Sequence, residues 1–235
     1  MREIDTVLFD LDGTLTNPEE GITRSIQFAI MRAGRQPIDR TDLVKYIGPS
    51  LRETFAILLG SESSVENIQQ MVTDYRERYS ETGWRENHIY PGIADMLNLL
   101  KSHGYRLYVA TSKPHIYANR ILEHFGLDQY FTGVYGSELN GVMDDKSELI
   151  ANIVQKEELK VQDTIMAGDR KYDIAAALNN KILPVGVTYG FGSSEELSAA
   201  GAKYLVNTPS ELGKIILNFR ETNNILDSSN PCNSL

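Results

Sequence analysis

The chain has 235 residues, enough for one large domain or for a core domain with a smaller insert. Its 41% hydrophobic and 23% charged residues are typical of a soluble globular protein, and its apolar runs are too short to span a bilayer, which excludes a membrane-spanning protein. The formal net charge of −9 disfavours general binding to nucleic acid or to an anionic membrane, so a bound phosphate must be attracted by a local site.

The start of the chain and its single cysteine bear on its compartment. Residues 1–5 lack the charged-then-apolar layout of a signal peptide. Cys232 lies in a polar stretch near the end, so the sequence contains neither a disulfide framework nor a cysteine-based metal site. We therefore expect a reduced, cytoplasmic setting.

The first predicted strand covers residues 6–9 and ends in two acids. Its apolar run suits a strand buried on both faces of a parallel sheet, where Asp10 and Asp12 would be costly without a cation nearby. Residues i and i+2 of an extended segment point the same way, and Gly13 then allows a sharp turn. The alternative is an ordinary Asp-Gly turn after an edge strand, but the apolar residues before Asp10 favour a catalytic centre.

Between residues 16 and 84 the pattern becomes helical. The spacing of apolar residues predicts helices over 19–33, 41–47, 51–59 and 65–79. Ser50 precedes the third of these and is a candidate N-cap. We interpret residues 16–84 as a four-helix cap domain inserted into a larger fold.

From about residue 90 strands and helices alternate. Buried strands are predicted over 105–110 and 164–167, a weaker strand over 131–137, and two more strands over 183–187 and 204–206. This alternation predicts an α/β core, residues 1–15 and 85–221, with a doubly wound parallel sheet whose ligands lie at the carboxyl ends of the strands. Residues 222–235 are polar, without periodicity, and are predicted to form a C-terminal tail.

Polar residues stand at the ends of several predicted strands or at the start of the following helix. They are Asp10, Asp12, Thr111, Ser112, Lys146, Asp169 and Asp173. Several neighbouring carboxylates would repel one another, and a hard divalent cation such as Mg²⁺ removes this repulsion and holds a phosphate. Taken singly, each residue has an ordinary explanation as a helix cap, a surface lysine or a turn. Their joint arrangement favours one phosphate site.

Four segments resemble the motifs of the haloacid dehalogenase-like hydrolases. They are Phe9-Asp10-Leu11-Asp12-Gly13-Thr14-Leu15, Thr111-Ser112, Lys146, and Gly168-Asp169-Arg170-Lys171-Tyr172-Asp173. The similarity extends over about residues 4 to 220. Within this superfamily the chain is similar to the phosphoglycolate phosphatase-like and nucleotidase-like branch, which inserts a helical cap after the first motif. The resemblance implies a Rossmann-like core and a Mg²⁺-dependent phosphatase acting on a small phosphate ester.

The resemblance also implies a role for each motif residue. Asp10 is the nucleophile and Asp12 the general acid and base, while Thr111, Ser112 and Lys146 bind the phosphate and Lys146 takes part in catalysis. The implied Mg²⁺ ligands are Asp10, the backbone carbonyl of Asp12, Asp169, and Asp173 in or next to the coordination shell.

The third motif departs from the pattern of many relatives. Many phosphoglycolate phosphatases and sugar phosphomutases of the superfamily have Lys-Pro-x-Pro there, whereas this chain has Lys146-Ser147 and no proline. This form is more similar to the nucleotidase-like members. A phosphomutase and a dehalogenase are alternative activities on the same scaffold, and dehalogenases of the family lack the acid found here at Asp12. A catalytically idle binding protein is a third interpretation, which nothing in the sequence supports.

Substrate choice is expected to depend on the cap, around residues 47–52. Ser50 opens a helix there, and free backbone N–H groups at a helix start suit an anion. Arg52 is the side chain able to bind a substrate carboxylate or a second oxyanion. The alternative is a surface arginine paired with an acid such as Glu53, and the two interpretations are equally supported. The sequence does not indicate the oligomeric state.

Overall fold

The computed structural model describes residues 4–227, and its core is a six-stranded sheet in the order β5-β4-β1-β6-β7-β8. Every pair of neighbouring strands is parallel. The strands are β1 (Thr6–Phe9), β4 (Arg106–Pro114), β5 (Gly133–Ser137), β6 (Thr164–Gly168), β7 (Leu183–Val187) and β8 (Tyr204–Val206). The predicted α/β fold with a parallel sheet is confirmed.

Alternate residues of the central strands pack on opposite faces of the sheet. In β1, Val7 and Phe9 join the larger core cluster, whereas Leu8 joins the smaller one. In β4, Val109 faces the larger cluster and Tyr108 the smaller. This period of two is what a strand covered by helices on both faces requires, and it accounts for the continuous apolar run in β1.

Helices that follow the strands supply the two covering layers. They are α5 (Ile93–Ser102), α6 (His115–His124), α7 (Lys146–Lys156), α8 (Lys171–Asn179), α9 (Ser194–Ala199) and α10 (Pro209–Asp227). The helix α7 begins where the sequence predicts, because the Asp145 side chain caps it by accepting a hydrogen bond from the Glu148 backbone N–H.

The insert between β1 and α5 is helical, as predicted. It contains α1 (Glu19–Arg32), α2 (Arg40–Leu43), α3 (Leu51–Leu59) and α4 (Val65–Glu81). The second helix is a single turn that continues as a 3₁₀ turn over Val44–Tyr46. Two short antiparallel strands, β2 (Thr16–Asn17) and β3 (His88–Ile89), close the base of the insert. The sequence analysis did not predict this pair, because two residues are too few for a visible alternation.

Two predicted boundaries differ from the structure. The strand β4 continues past residue 110 to Pro114, with an irregular register between Thr111 and Pro114 that keeps both in the ladder. The last helix, α10, runs to Asp227, so residues 222–227 are helical and not part of a tail. Residues 228–235 of the predicted tail lie outside the described residues. Among residues 4–227, no helix is long and apolar enough to cross a membrane.

Candidate active site

The central position of β1 brings the ends of three strands together. In the sheet order β1 lies between β4 and β6, so Asp10 after β1, Thr111 in β4 and Asp169 after β6 meet at one edge. All three side chains are buried. The predicted convergence at the carboxyl ends of the strands is therefore what the fold produces.

Lys146 joins this edge from the first residue of α7. Its ammonium donates a 2.7 Å hydrogen bond to Asp10 Oδ1 and a second hydrogen bond to Asp173 Oδ1. Burial by itself would lower the pKa of Lys146, but the Asp10 and Asp173 carboxylates outweigh it and raise the pKa. Lys146 is thus a buried, fully charged cation, unlike the solvated lysine that its residue type alone suggests.

Three buried acids form the candidate metal site. One carboxylate oxygen from each of Asp10, Asp169 and Asp173 lies within 4.8 Å of the others. Asp169 Oδ2 accepts a hydrogen bond from the Phe191 backbone N–H at 2.8 Å, whereas its buried Oδ1 has no partner among the described residues. Burial, followed by the neighbouring carboxylates, raises the pKa of Asp169, and burial raises the pKa of Asp173 to about 6. Crowded oxygen ligands with one unpaired atom fit a hard divalent cation.

Glycines allow the chain to pass close to Asp169. Gly13 has φ of 91°, and a Cβ there would lie 2.1 Å from Asp169 Oδ2. A Cβ at Gly190 would lie 2.5 Å from the same oxygen. Both positions therefore need glycine, because any side chain would displace the carboxylate from the candidate metal site. The sequence analysis singled out Gly13 for its turn but did not find Gly190, since no local pattern connects it to residue 169.

Asp12 faces a different partner. Its Oδ2 lies 2.5 Å from the Lys113 ammonium, and its buried Oδ1 has no partner within the described part of the chain. Burial raises the pKa of Asp12, and the Lys113 charge opposes this shift. Asp12 and Asp10 are therefore two carboxylates with different surroundings, which favours different roles. The carboxyl of Asp12 is not among the three clustered acids, which leaves its backbone carbonyl as the atom for the predicted metal role.

Thr111 and Ser112 lie beside Asp10 along the same cavity. The Thr111 hydroxyl accepts a hydrogen bond from the Lys113 backbone N–H at 3.3 Å, and the Ser112 carbonyl accepts one from Ser137. These bonds fix the irregular end of β4. They leave the Thr111 hydroxyl hydrogen free to donate towards a bound anion.

The cap closes over these residues and forms a cavity with them. From the core the cavity is lined by Asp10, Asp12, 111–114 and Tyr117, and from the cap by Ile22, 46–49, Leu51, Tyr75, Arg76 and Tyr79. The cap residues are spread over α1, α4, the segment before α3 and the first residue of α3. The cavity therefore depends on how the cap is seated on the core.

Ser50 and Arg52 do not line this cavity, although Pro49 and Leu51 beside them do. The Ser50 hydroxyl accepts a hydrogen bond from the Glu53 backbone N–H and so caps α3. Arg52 is held in a 3.0 Å salt bridge to Asp144 of the core. The alternative interpretation paired Arg52 with an acid such as Glu53, and in the structure the acid paired with it is Asp144. A role for Ser50 and Arg52 in substrate binding stays a prediction.

A sequence model of a known family matches most of the chain. The family described as haloacid dehalogenase-like hydrolase has a sequence model that matches residues 7–187. The chain belongs to this family. The resemblance drawn from the four motifs is confirmed, and the matched region includes Asp10, Asp169 and the whole inserted cap.

Curated relatives of this haloacid dehalogenase-like hydrolase carry names of phosphoryl-group enzymes. A 5'-nucleotidase of Pseudomonas aeruginosa is 45% identical over 193 residues, which is 82% of this chain and 86% of that protein. The tyrosine-protein kinase PtkA of Mycobacterium bovis is 36% identical over 80% of this chain and 64% of its own length. A phosphoglycolate phosphatase of Vibrio parahaemolyticus is 25% identical over 92% of this chain and 97% of that protein.

A solved structure agrees with these relatives. The crystal structure of a predicted phosphatase from Clostridium acetobutylicum superposes with a TM-score of 0.88 and 42% identity, covering 91% of this chain and 98% of that one. Together with the family match, these likenesses identify the chain as a hydrolase with phosphatase activity.

One residue of the fourth family motif connects the cap to the segment that carries Asp169. Arg170 follows Asp169, and its guanidinium Nη1 donates to the backbone carbonyls of Ile47 and, at 3.4 Å, of Lys45 in the cap. Its Nε donates to Glu196 at 2.9 Å. The seating of the cap is therefore linked directly to the segment that carries a candidate metal ligand.

We expect Arg170→Met to loosen this seating. The variant keeps most of the side chain but leaves the Ile47 carbonyl without its donor, which should lower the free energy of unfolding by about 1–3 kcal/mol. Amide hydrogen exchange over residues 44–48 should accelerate while β1 stays protected. The matched control is Lys171→Met, because the Lys171 side chain is exposed. Equal stability and equal exchange in the two variants would show that Arg170 does not hold the cap on the core.

Proposed function

We propose that this chain is a Mg²⁺-dependent phosphomonoesterase that acts on a small phosphate ester through an aspartyl phosphate at Asp10. The observation that supports this best is the pairing of Asp10 with Lys146 at 2.7 Å beside Asp169 and Asp173, at the buried centre of the sheet edge. A buried carboxylate held by one cation and flanked by a candidate metal site is arranged to attack an anionic ester.

In the first step a carboxylate oxygen of Asp10 attacks phosphorus. The bond between phosphorus and the ester oxygen breaks, and that oxygen takes a proton from Asp12. Burial raises the pKa of Asp12, which favours the protonated form that this step needs. The Lys146 ammonium balances the negative charge where Asp10 and the phosphate approach each other.

In the second step the aspartyl phosphate is hydrolysed. Asp12 accepts a proton from a water molecule, whose oxygen attacks phosphorus and displaces the Asp10 carboxylate. The step releases inorganic phosphate, returns Asp10 to its carboxylate form and leaves Asp12 protonated for the next cycle. Lys113, at 2.5 Å from Asp12, holds that carboxyl in place for both proton transfers.

The phosphate and the metal have separate binding groups in this proposal. Thr111, Ser112 and Lys146 bind the phosphate oxygens. Asp10, Asp169, Asp173 and the backbone carbonyl of Asp12 are the groups that would hold Mg²⁺, which when bound neutralises the phosphate oxygens during transfer.

Neither alternative activity on this scaffold is favoured by the site. A dehalogenase needs no acid at position 12, yet Asp12 is present, buried and held by Lys113. A phosphomutase is disfavoured by Lys146-Ser147, where many of its relatives have Lys-Pro-x-Pro. We propose a cytoplasmic phosphatase acting on a small molecule, and its test is whether metal-free protein hydrolyses p-nitrophenyl phosphate only after Mg²⁺ is added.

Arg52 and Ser50 remain proposed contacts to the substrate at the cap. To reach a substrate group, Arg52 must leave its salt bridge to Asp144. We expect Arg52→Ala to raise KM for the preferred substrate and to leave KM for p-nitrophenyl phosphate unchanged. Equal losses on both substrates, or no loss on either, would place the specificity site elsewhere.

A further inference from the structure

Aromatic rings from the cap and from α6 of the core form much of the cavity lining. Tyr46, Tyr75, Tyr79 and Tyr117 all line it. The Tyr75 and Tyr79 rings are stacked, with centroids 5.2 Å apart and planes 15° apart, and Tyr117 meets Tyr79 edge-on at 5.3 Å. The apolar residues Ile22, Ile47, Pro49 and Leu51 line the same cavity. Such walls favour an apolar or flat group.

Two buried hydrogen-bond donors stand in this wall without acceptors. The Tyr79 hydroxyl and the Nε of Arg76 are buried, and neither has a partner among residues 4–227. Burial and then the nearby Asp12 charge raise the pKa of Tyr79, so its hydroxyl keeps its proton. An unpaired buried donor costs about 1–3 kcal/mol, which a ligand acceptor would offset.

Arg76 and Tyr79 are placed to act together. They are three residues apart on α4, so they lie on one face of that helix. Arg76 is anchored by a 2.7 Å hydrogen bond from its Nη1 to the Leu139 carbonyl of the core. The anchor fixes the guanidinium while leaving Nε unpaired.

The tyrosine-lined part of the cavity lies next to the groups that react. The Lys113 ammonium lies 4.8 Å from the centre of the Tyr79 ring and 2.5 Å from Asp12 Oδ2. In the proposed mechanism Asp12 protonates the ester oxygen, so the group attached to that oxygen extends towards Tyr79. The tyrosine wall is therefore where the leaving group lies.

We propose that Tyr79 and Arg76 form a leaving-group subsite for a flat ring that carries a hydrogen-bond acceptor. This inference rests on the proposed phosphatase function and names its substrate class. The rings and apolar side chains cover the faces of the leaving group, and the two donors bind its carbonyl or ring-nitrogen acceptor. A small aliphatic acid such as glycolate would leave these apolar walls without a partner.

The size of the cavity limits what can bind with the cap in this position. About 60 Å³ is free with the cap seated as described, room for a few water molecules only. A ring therefore needs more room than the cap leaves in this position, where the bonds from Arg76 to Leu139 and from Arg170 to Ile47 hold it.

The test compares phosphate esters that share ribose 5-phosphate and differ in the attached nucleobase. Uridine and adenosine 5'-monophosphates and ribose 5-phosphate share the same primary alkyl phosphate, so their intrinsic reactivities match. We expect kcat/KM for at least one nucleotide to exceed that for ribose 5-phosphate by about tenfold or more, the effect of burying one ring. Arg76→Ala and Tyr79→Phe should each lower kcat/KM for the preferred nucleotide more than kcat/KM for ribose 5-phosphate, so that this ratio falls at least threefold.

The control variants change the same residue types away from the cavity. Arg32→Ala removes an exposed cap arginine paired with Glu77, and Tyr130→Phe removes a tyrosine hydroxyl outside the cavity lining. Both control variants should keep the parent's ratio of kcat/KM for the nucleotide to kcat/KM for ribose 5-phosphate. Loss of activity on all three esters in the Arg76 and Tyr79 variants would show a merely structural role and overturn the inference.

A binding measurement separates this inference from the proposed function. Calorimetry on the Asp10→Asn protein compares the Kd of the nucleotides with that of ribose 5-phosphate, and it does not require turnover. Tighter nucleotide binding that Tyr79→Phe and Arg76→Ala weaken supports the subsite, even if the parent protein fails to hydrolyse any ester. Equal Kd values for nucleotides and ribose 5-phosphate would overturn it, whatever the catalytic activity.

Discussion

Asp10→Asn is expected to lower kcat by at least about 10⁴-fold while the protein stays folded. The amide keeps the shape of the carboxylate but cannot attack phosphorus or form the acyl phosphate. Asp10 lies at the centre of the sheet edge, held at 2.7 Å by Lys146, and no other carboxylate in the cluster directly follows the central strand. Steady-state hydrolysis of p-nitrophenyl phosphate measures the effect.

The control for this variant is Asp95→Asn, which makes the same change at an exposed position on α5. It should retain the parent kcat, and both variants should unfold cooperatively near the parent Tm. An Asp10→Asn protein with activity within about tenfold of the parent would rule out Asp10 as the nucleophile.

Removing bound metal is expected to abolish activity reversibly. Without a metal ion Asp169 is repelled by Asp10 and Asp173, and burial with this repulsion raises the pKa of Asp169. Mg²⁺ should restore full activity to protein dialysed against a chelator, and Ca²⁺ should restore little, because Ca²⁺ takes more ligands at longer distances. Mg²⁺ should also raise the Tm, since it binds the folded site and not the unfolded chain.

Asp169→Asn provides the matched variant for the metal experiment. It removes one charge from the cluster but keeps the hydrogen bond from the Phe191 N–H to a carbonyl oxygen. We expect the Tm of this variant to respond much less to Mg²⁺ than that of the parent. Full activity after exhaustive chelation, or an equal Tm response in both proteins, would contradict a metal site at these acids.

The core of the site was predictable from the sequence because its signals are local. The apolar run before Asp10 defines a buried strand, and Thr111 in β4 and Asp169 after β6 stand at the ends of similar runs. Parallel strands bring such ends to one edge, so Asp10, Thr111 and Asp169 were expected to meet without knowledge of any contact. The start of α7 at Lys146 was predicted as well.

The cap side of the site could not be predicted in the same way. The spacing along α4 identifies an apolar face, but it does not say which part of that face meets the core. Arg76 and Tyr79 reach the cavity only through the seating of the cap, and Arg52 pairs with Asp144, 92 residues away. Gly190 approaches Asp169 through packing between distant segments, which leaves no local pattern.

The place of Lys113 in the site could be predicted only in part. It follows Thr111 and Ser112, which were predicted to lie at the site, but the strand before them was predicted to end at residue 110. The structure instead keeps β4 extended to Pro114, so Lys113 points its ammonium at Asp12. An irregular strand end carries no periodic signal, and its side-chain directions are set by pairing with β5.

Detection of the phosphorylated intermediate tests the proposed chemistry most directly. The protein is mixed with Mg²⁺ and p-nitrophenyl phosphate, quenched in acid within one turnover, digested and analysed by mass spectrometry. We predict a phosphoryl group on the Asp10 side chain in the parent and none in Asp10→Asn. Turnover by the parent with no phosphoryl group on Asp10 at any quench time, together with comparable turnover by Asp10→Asn, would contradict covalent catalysis at this residue.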